Sequence, residues 1–318
     1  MNTTTRLLPA DPEGIKAAAA LLQAGDLVAF PTETVYGLGA DARNDAAVAG
    51  IYAAKGRPSF NPLIVHLPDL EAATALADLS PTALRLAKAF WPGPLTLVAR
   101  TRPDSGLSPL CFAGLPTVAL RVPAAPVARS LLRAFGGPLA APSANLSGQV
   151  SPTTAAHVMT GLSSRIAAVL DGGPCTVGLE STIVDGTDGP VILRHGGISA
   201  EALAEVHGAP LPQAVTPTAP DRPNAPGQLS SHYAPRAALR LNAERPHENE
   251  VLLAFGDAKG AMNLSPAGDL NEAAANLFAY LIALDEGGVE AIAVSPIPET
   301  GLGKAINDRL QRAAAPRD

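Results

Sequence analysis

The sequence predicts an α/β protein built from a large N-terminal domain and a small C-terminal one. Over residues 12 to about 200, short β-rich runs alternate with helical segments, as in an open sheet with helices packed on it. A Pro-rich stretch follows at 208–235, and strand and helix signals return beyond it. We therefore assign 1–207 to the first domain, 208–236 to a linker and 237–318 to a small second α/β domain.

Signals for the individual elements follow one another along the chain. The first helix has a capping residue at Asp11, Pro12 in its first turn and a stop at Gly25. Several later helices are also preceded by Pro or stopped by Gly, and the runs between them suit strands. Strands are predicted at 27–30, 63–67, 95–99, 117–121, 138–141, 167–170, 182–184, 191–193, 250–255 and 291–294. Helices are predicted at 12–24, 44–54, 81–90, 125–135, 152–160, 271–286 and 303–314.

Composition narrows the class of protein. Hydrophobic residues make up 47% of the 318 residues, and no apolar run approaches the roughly 18 residues that suggest a membrane span. The N-terminal residues carry no secretory signal pattern, and Cys111 and Cys175 form neither a metal-spaced pair nor a disulfide framework, which fits a reducing cytosol. The net charge of −6 disfavours a broad nucleic-acid-binding surface, and the six histidines lack zinc-ligand spacing.

The segment KGRPSFNP, residues 55–62, places two cations and an amide side chain in one turn. Gly56 would let the backbone approach a ligand closely, while Arg57 offers a planar fork of donors and Lys55 a point charge. Such donors suit a polyphosphate. A solvated turn between a helix and a strand would contain the same residue types, so the loop alone leaves both interpretations open.

Polar residues follow the strand 27–30, in the segment PTETVYGLGADA at 31–42. Its GLGADA portion matches the dinucleotide-binding pattern G-x-G-x-x-A, but Pro31 and polar residues separate the strand from the glycines. We therefore reject a Rossmann site there. The hydroxyls and carboxylate of Thr32, Glu33 and Thr34 at a strand end favour recognition of a small polar ligand.

A second polar segment follows the strand 138–141. It carries Ser143 and Asn145 into a Gly- and Ser-rich loop before a helix, a geometry that can bind phosphate through hydroxyl and amide groups. Both residues also suit simple capping turns. No GxSxG elbow is present that would make Ser143 a hydrolase nucleophile.

Two further candidates lie at strand ends. Arg121 closes an apolar strand, and a buried guanidinium there needs an anionic partner from the protein or from a ligand. His66 lies at the end of the strand 63–67, where a histidine is more often structural than part of a site. The sequence has no Walker A element, so scattered strand-end residues would have to hold any nucleotide.

A series of motifs runs in order along nearly the whole chain. They are PTETVYGLGADA, KGRPSFNPLIVHL, FWPGPLTLV, VALRVP, APSANLSGQVSPT, GLESTIVD, ILRHGGIS, HYAP and PIPETGLGKAINDRL. Together they resemble the YrdC-like family, in the long two-domain form of its threonylcarbamoyl-AMP synthases. The resemblance implies an open twisted mixed sheet in the first domain and a Rossmann-like second domain.

The resemblance also implies an activity. It is that of a nucleotidyltransferase that joins L-threonine, bicarbonate and ATP into L-threonylcarbamoyl-AMP and diphosphate, with Mg²⁺ carried on the ATP phosphates and no metal ligand from protein side chains. This is the first step toward N6-threonylcarbamoyladenosine in tRNA. The implied setting is the cytoplasm, and the product would pass to the tRNA threonylcarbamoyltransferase complex. No membrane is involved, and strong direct binding of RNA is not expected.

The resemblance further assigns roles to individual residues. The implied catalytic residues are Lys55, Arg57, Ser143 and Asn145. The implied ATP contacts are Arg57, Asn61, Thr117, Ser143, Ser151, Arg194 and Tyr233. The implied threonine contacts are Thr34, His66, Arg121, Ala141 and Ser181. Because Tyr233 lies in the linker, the resemblance makes 208–235 a lid that excludes water from a hydrolysable product.

Two other functions stay open at the level of sequence. One is a non-catalytic module that binds double-stranded RNA, which the negative net charge disfavours. The other is the carbamoyltransferase of hydrogenase maturation, but its cysteine-rich zinc segments are absent from this sequence. The linker reads APGQLSSHYAP where many long forms carry a basic, methionine-containing version, so residues 228–231 offer no basic side chain for contacts made there in those forms.

Overall fold

The protein is described by a computed structural model that covers residues 4–58, 61–214 and 232–316. The strands are β1 (Arg6–Pro9), β2 (Val28–Pro31), β3 (Tyr36–Asp41), β4 (Ile64–His66), β5 (Ala77–Asp78), β6 (Leu95–Thr101), β7 (Thr117–Arg121), β8 (Leu139–Ala140), β9 (Ala168–Asp171), β10 (Thr182–Asp185), β11 (Val191–Arg194), β12 (Ala238–Arg240), β13 (Glu250–Ala254), β14 (Met262–Asn263) and β15 (Ala291–Val294). The helices are α1 (Pro12–Gln23), α2 (Asp45–Lys55), α3 (Leu70–Leu76), α4 (Pro81–Phe90), α5 (Pro126–Phe135), α6 (Ala155–Leu162), α7 (Ala200–His207), α8 (Leu270–Glu286) and α9 (Gly303–Ala314).

The first domain is organised around one mixed sheet. Its strand order is β1-β9-β2-β3-β8-β4-β7-β6-β10-β11, with β5 paired to β6. The centre of the sheet contains the antiparallel pairs β2·β3, β3·β8 and β4·β8 beside the parallel pair β4·β7. The predicted open mixed sheet is therefore confirmed.

Apolar clusters pack the helices onto this sheet. One cluster joins α1 and α5 to β2, β8 and β9, and a larger one joins α2 and α6 to the central strands. The predicted cap of α1 is confirmed, because the Asp11 carboxylate accepts the backbone N–H of Gly14 at 2.8 Å. No helix among the described residues has the length and apolar character needed to cross a bilayer.

The second domain is a small α/β unit, as predicted. Its four strands run parallel in the order β12-β15-β13-β14, and α8 and α9 supply much of its core. Val35, Leu179 and Tyr233 belong to the same apolar cluster, so this domain packs on the first domain and on the linker. Gly178 allows the close approach: its φ is 71°, and a Cβ there would lie 2.5 Å from Cα of Ala275.

Some elements differ from the sequence prediction. The segment after β2 is not a simple polar loop, because Tyr36–Asp41 forms β3 and pairs antiparallel with β2. The glycines permit this pairing: a Cβ at Gly39 would lie 2.9 Å from Cε1 of Phe30. Helix α6 begins at Ala155 instead of 152, because Thr154 is its capping residue. The prediction does not include β1, β5, β12, β14, α3 and α7, because segments of two to eight residues carry little periodic signal.

The predicted linker has two described parts. Its first residues lie against β11, where the N–H of Ala214 donates to the carbonyl of Ile192 at 2.9 Å and Leu211 is buried. Of its last residues, His232, Tyr233 and Pro235 are buried, Tyr233 within the core of the second domain, whereas Arg236 is exposed. Residues 215–231, and with them the departure at 228–231, lie outside the described residues, as do Ser59 and Phe60 of the predicted phosphate loop.

Candidate active site

A small cavity lies where the β2–β3 turn, β4, β7 and the loop after β8 meet. Nine residues predicted for the site line it, namely Thr34, Arg57, His66, Arg121, Ala141, Ser143, Ser181, Arg194 and Tyr233. Four others, Lys55, Asn61, Asn145 and Ser151, are not part of the lining but are buried. Thr117 lies at the start of β7, at the far end of that strand from Arg121, and does not line the cavity.

Strand pairing brings these distant residues together. The parallel register of β4 and β7 pairs His66 with Arg121. Ser143 forms an isolated bridge with Gly37 of β3, and the N–H of Ala141 donates to the carbonyl of Ile64 at 2.9 Å. Three segments separated by many residues thus form one wall of the cavity.

Arg121 has the anionic partner that its burial required. Its guanidinium donates to Glu33 Oε1 at 2.6 Å and to Thr34 Oγ1 at 2.8 Å. The other Glu33 oxygen accepts the backbone N–H groups of Ala124 and Ala125, at 2.9 and 3.2 Å. Burial alone would raise the pKa of Glu33, but the charge and hydrogen bond of Arg121 and the backbone N–H bonds lower it overall. Glu33 is therefore an ionised group that holds Arg121 in place.

The Lys-Arg loop is not a solvated turn. Lys55 is 2% exposed and Arg57 is 8% exposed. Lys55 Nζ donates to the carbonyls of Ser143 and Asn145, both at 2.6 Å, and Arg57 donates to the carbonyl of Pro62 at 3.0 Å. Lys55 thus fixes the loop after β8, whereas Arg57 faces the cavity.

Neither of these cations forms a salt bridge with a carboxylate of the described residues. Burial, with repulsion from Arg57, holds the pKa of Lys55 well below its usual value, and burial lowers the pKa of Arg57 to about 10. Buried cations of this kind are stabilised by an anion.

Two buried amides have polar atoms without a partner among the described residues. Both Oδ1 and Nδ2 of Asn61 lack one. Asn145 donates through Nδ2 to the carbonyls of Leu146 and Gln149, both at 2.8 Å, while its Oδ1 lacks a donor. Unpaired polar atoms are uncommon in a protein interior and often face a ligand.

The opposite wall contains Ser181, Arg194 and Glu180. Ser181 Oγ lies 2.7 Å from Thr96 Oγ1, and Arg194 donates to the Ser181 carbonyl at 2.8 Å. The hydroxyl of Ser151 donates to Glu180 Oε1 at 2.5 Å. These hydrogen bonds set the orientation of the Ser181, Arg194 and Glu180 side chains on this wall.

The end of the linker closes the cavity. Tyr233 is 2% exposed, its ring stacks on His232 at 4.1 Å and on Phe278 of α8 at 5.6 Å, and the N–H of Ala234 donates to the carbonyl of Gly148 at 2.9 Å. About 50 Å³ remains open inside, below the roughly 300 Å³ of the smallest usual ligand pockets. The space left beside Tyr233 is therefore smaller than a nucleotide needs.

Three residues of this site were not assigned roles from sequence. Glu180 and His232 line the cavity, and Arg309 of α9 contacts both Glu180 and Tyr233. The unusual HYAP ending of the linker was a signal for His232. Arg309 lies within the motif PIPETGLGKAINDRL, but nothing in that motif indicates that its side chain reaches the first domain.

His66 predicts a pH dependence of stability. Burial and the nearby Arg121 lower its pKa to about 3, whereas an unfolded histidine titrates near 6.5. As pH falls below 6.5, His66 binds a proton in the unfolded chain but stays neutral in the folded protein. This difference favours the unfolded chain and lowers the free energy of unfolding by about 2 kcal/mol at pH 5. Urea unfolding of His66→Gln should show a shallower decline between pH 7 and 5. Exposed His247→Gln is the control, and equal slopes for wild type and His66→Gln would contradict the prediction.

The mixed sheet, the cation-rich cavity at its strand ends and the parallel second domain define a two-domain YrdC-like protein. Residues 20–196 match the Sua5, YciO and YrdC family model described as telomere recombination, and 198–315 match the C-terminal domain of threonylcarbamoyl-AMP synthase. The chain therefore belongs to the Sua5, YciO and YrdC family, in its two-domain form.

Known proteins resemble the chain over most of its length. It is 42% identical to the threonylcarbamoyl-AMP synthase of Bacillus subtilis, covering 100% of this chain and 97% of that protein. It is 37% identical to that of Schizosaccharomyces pombe, over 95% of this chain and 88% of the relative. The crystal structure of Pyrococcus abyssi Sua5 complexed with L-threonine superposes with a TM-score of 0.89 at 36% identity, over 98% of both chains. These comparisons lend no support to an RNA-binding module without catalysis.

Proposed function

We propose that this protein is a threonylcarbamoyl-AMP synthase, which makes L-threonylcarbamoyl-AMP and diphosphate from L-threonine, bicarbonate and ATP. The observation that carries the proposal is the buried pair Lys55 and Arg57, which no described carboxylate neutralises. Beside them lies Asn61, whose side-chain amide has no hydrogen-bond partner among the described residues. An anionic substrate would supply the missing charge and hydrogen bonds. The two relatives named threonylcarbamoyl-AMP synthase, which align with 95% or more of this chain, support this substrate class.

The threonine side of the proposal is the part of the cavity around Arg121. The guanidinium is held by Glu33 and Thr34, and it retains further N–H groups for a carboxylate or carbamate. Ser181 and His66 line the same space. With its pKa lowered to about 3, His66 would be neutral at pH 7 and could act as a hydrogen-bond partner rather than as a charge.

The ATP side is the part of the cavity lined by Arg57, Ser143, Arg194 and Tyr233, which come from both walls. Mg²⁺ would enter as part of the substrate, on the ATP phosphates. This fits the site, because the two carboxylates around the cavity are already engaged: Glu33 by Arg121 and Glu180 by Arg309 and Ser151. Among the described residues, no group of three or more His, Cys, Asp or Glu side chains lies together as a metal site.

The proposed reaction requires little covalent participation by the side chains of the protein. The amine of threonine would combine with bicarbonate, losing water, to form a carbamate. A carbamate oxygen would then bond to the α-phosphorus of ATP as the bond to the bridging oxygen breaks and diphosphate leaves. The residues would position the reactants and stabilise the developing charge, and the linker would keep water from the mixed anhydride. The nucleotidyltransferase class, a cytoplasmic location and transfer of the product to the tRNA threonylcarbamoyltransferase complex are parts of the same proposal.

Diphosphate release by the full chain tests this function. We expect release from MgATP only when L-threonine and bicarbonate are both present, because the attacking oxygen belongs to their carbamate. L-serine in place of L-threonine and degassed, bicarbonate-free buffer are matched controls, and omission of Mg²⁺ should also stop the reaction. Equal release without threonine would refute the assignment.

A further inference from the structure

Arg309 of α9 belongs to the C-terminal domain, yet its side chain ends beside the cavity of the first domain. The side chain is 0% exposed, and Arg309 is the largest side chain among the fully buried residues described. A buried guanidinium must have most of its donors satisfied and its charge balanced. Its partners therefore show what it holds together.

Four contacts surround the guanidinium. Nε donates to Glu180 Oε2 at 2.8 Å, Nη2 to the carbonyl of His195 at 2.9 Å and Nη1 to Asp308 Oδ2 at 2.6 Å. The plane also lies over the ring of Tyr233, with 5.2 Å from Cζ to the ring centroid. Only Asp308 belongs to the same helix, so the other three contacts tie α9 to the first domain and to the linker.

Each of these three contacts leads directly to the lining of the cavity. Glu180 and Tyr233 line it themselves. The second oxygen of Glu180 accepts the hydroxyl of Ser151, and His195 follows Arg194, another lining residue. Thr34 and Arg121, on the other wall, have no described hydrogen bond to Arg309. The direct contacts of Arg309 are therefore with the wall that carries Glu180 and Arg194 and with Tyr233, and Ser181 is the one implied threonine contact on that wall.

We propose that Arg309 is a positioning residue, through which the C-terminal domain holds the nucleotide half of the cavity and the closing Tyr233 in their working geometry. This inference rests on the proposed function for the identity of the nucleotide. It gives the C-terminal domain a part in substrate binding beyond anchoring the linker.

The same helix, α9, contains a second contact between the domains, and this contact can serve as a control for Arg309. Lys304 donates to Glu201 of α7 at 2.7 Å, which also joins the two domains, but Glu201 is 55% exposed and neither residue lines the cavity. An exposed ion pair contributes little to stability. Lys304→Gln therefore removes a link between the domains without touching the site.

The test is ATP affinity, measured by calorimetry on the full chain, together with the KM for L-threonine. Arg309→Lys keeps the charge but loses the fork and the planar stacking, so the Kd for ATP should rise roughly tenfold or more. The KM for threonine should rise less than the Kd for ATP, because most implied threonine contacts lie on the other wall, and Lys304→Gln should leave both values unchanged. A folded Arg309→Lys variant with wild-type ATP affinity would overturn the inference, as would equal losses for ATP and threonine.

Arg309→Met leaves Glu180 buried without its partner and is expected to fold poorly. The double variant Glu180→Gln with Arg309→Met removes both charges, and its ATP affinity is compared with that of Glu180→Gln alone. Weaker binding by the double variant supports the positioning role, and equal binding contradicts it. A wild-type chain that binds ATP but releases no threonine-dependent diphosphate would refute the proposed function, while the binding comparison would still decide the role of Arg309.

Discussion

Arg57→Ala should lower kcat/KM for diphosphate release by roughly 10²- to 10³-fold, the usual effect of removing one group that stabilises transition-state charge. The fold should survive. Arg57 is buried with carbonyl partners and no described carboxylate, so its removal relieves a desolvated charge and breaks no ion pair. We therefore expect the melting temperature to stay the same or to rise while activity is lost, as is common for residues kept for function.

Steady-state kinetics and a thermal melt of the same Arg57→Ala sample test whether activity falls while the melting temperature is kept or raised. Arg100→Ala is the matched control, because Arg100 is an exposed arginine whose partner, Asp188, is also exposed. It should leave both quantities near wild type. Full activity in Arg57→Ala would remove Arg57 from the phosphate-binding role.

Glu33→Ala should have the largest effect on stability. It leaves Arg121 as an uncompensated buried charge and deprives the N–H groups of Ala124 and Ala125 of their acceptor. Breaking a buried pair in this way costs about 3–5 kcal/mol of unfolding free energy. The KM for threonine should rise as well, because Arg121 loses the partner that orients it.

Urea unfolding as a function of pH separates the charge of Glu33 from its packing. Because the folded pKa of Glu33 is lowered, its stabilising contribution is present above the unfolded pKa and is lost as pH falls through the folded value. Glu33→Gln, which keeps the shape, should therefore be least stable relative to wild type at neutral pH and should approach it in acid. Glu201→Gln, at an exposed ion pair, should change stability by less than about 1 kcal/mol. A Glu33→Gln variant as stable as wild type at pH 7 would show that the pair contributes nothing.

The burial of the loop that carries Lys55 and Arg57 shows which features of the site a local sequence pattern could predict and which it could not. Sequence identified Lys55 and Arg57 as unusual but left a wet turn and a ligand site equally open. The structure excludes the wet turn, and it separates the two residues: Lys55 holds the carbonyls of Ser143 and Asn145, whereas Arg57 faces the cavity. Their placement depends on the loop after β8, which is distant in sequence and therefore invisible to a local pattern. The residue roles on the substrates stay predictions until variants are measured.

The amino-acid sequence by itself determined the α/β class, most long helices and strands, the order of the family motifs and the residue types at the strand ends. Those features depend on periodicity, caps and short-range chemistry, which a linear pattern records. Only the tertiary structure decided that Tyr36–Asp41 pairs with β2, that His66 lies beside Arg121 and that Arg309 reaches across the domains to Tyr233. Strand register and domain packing set those contacts, and their energies come from residues far apart along the chain.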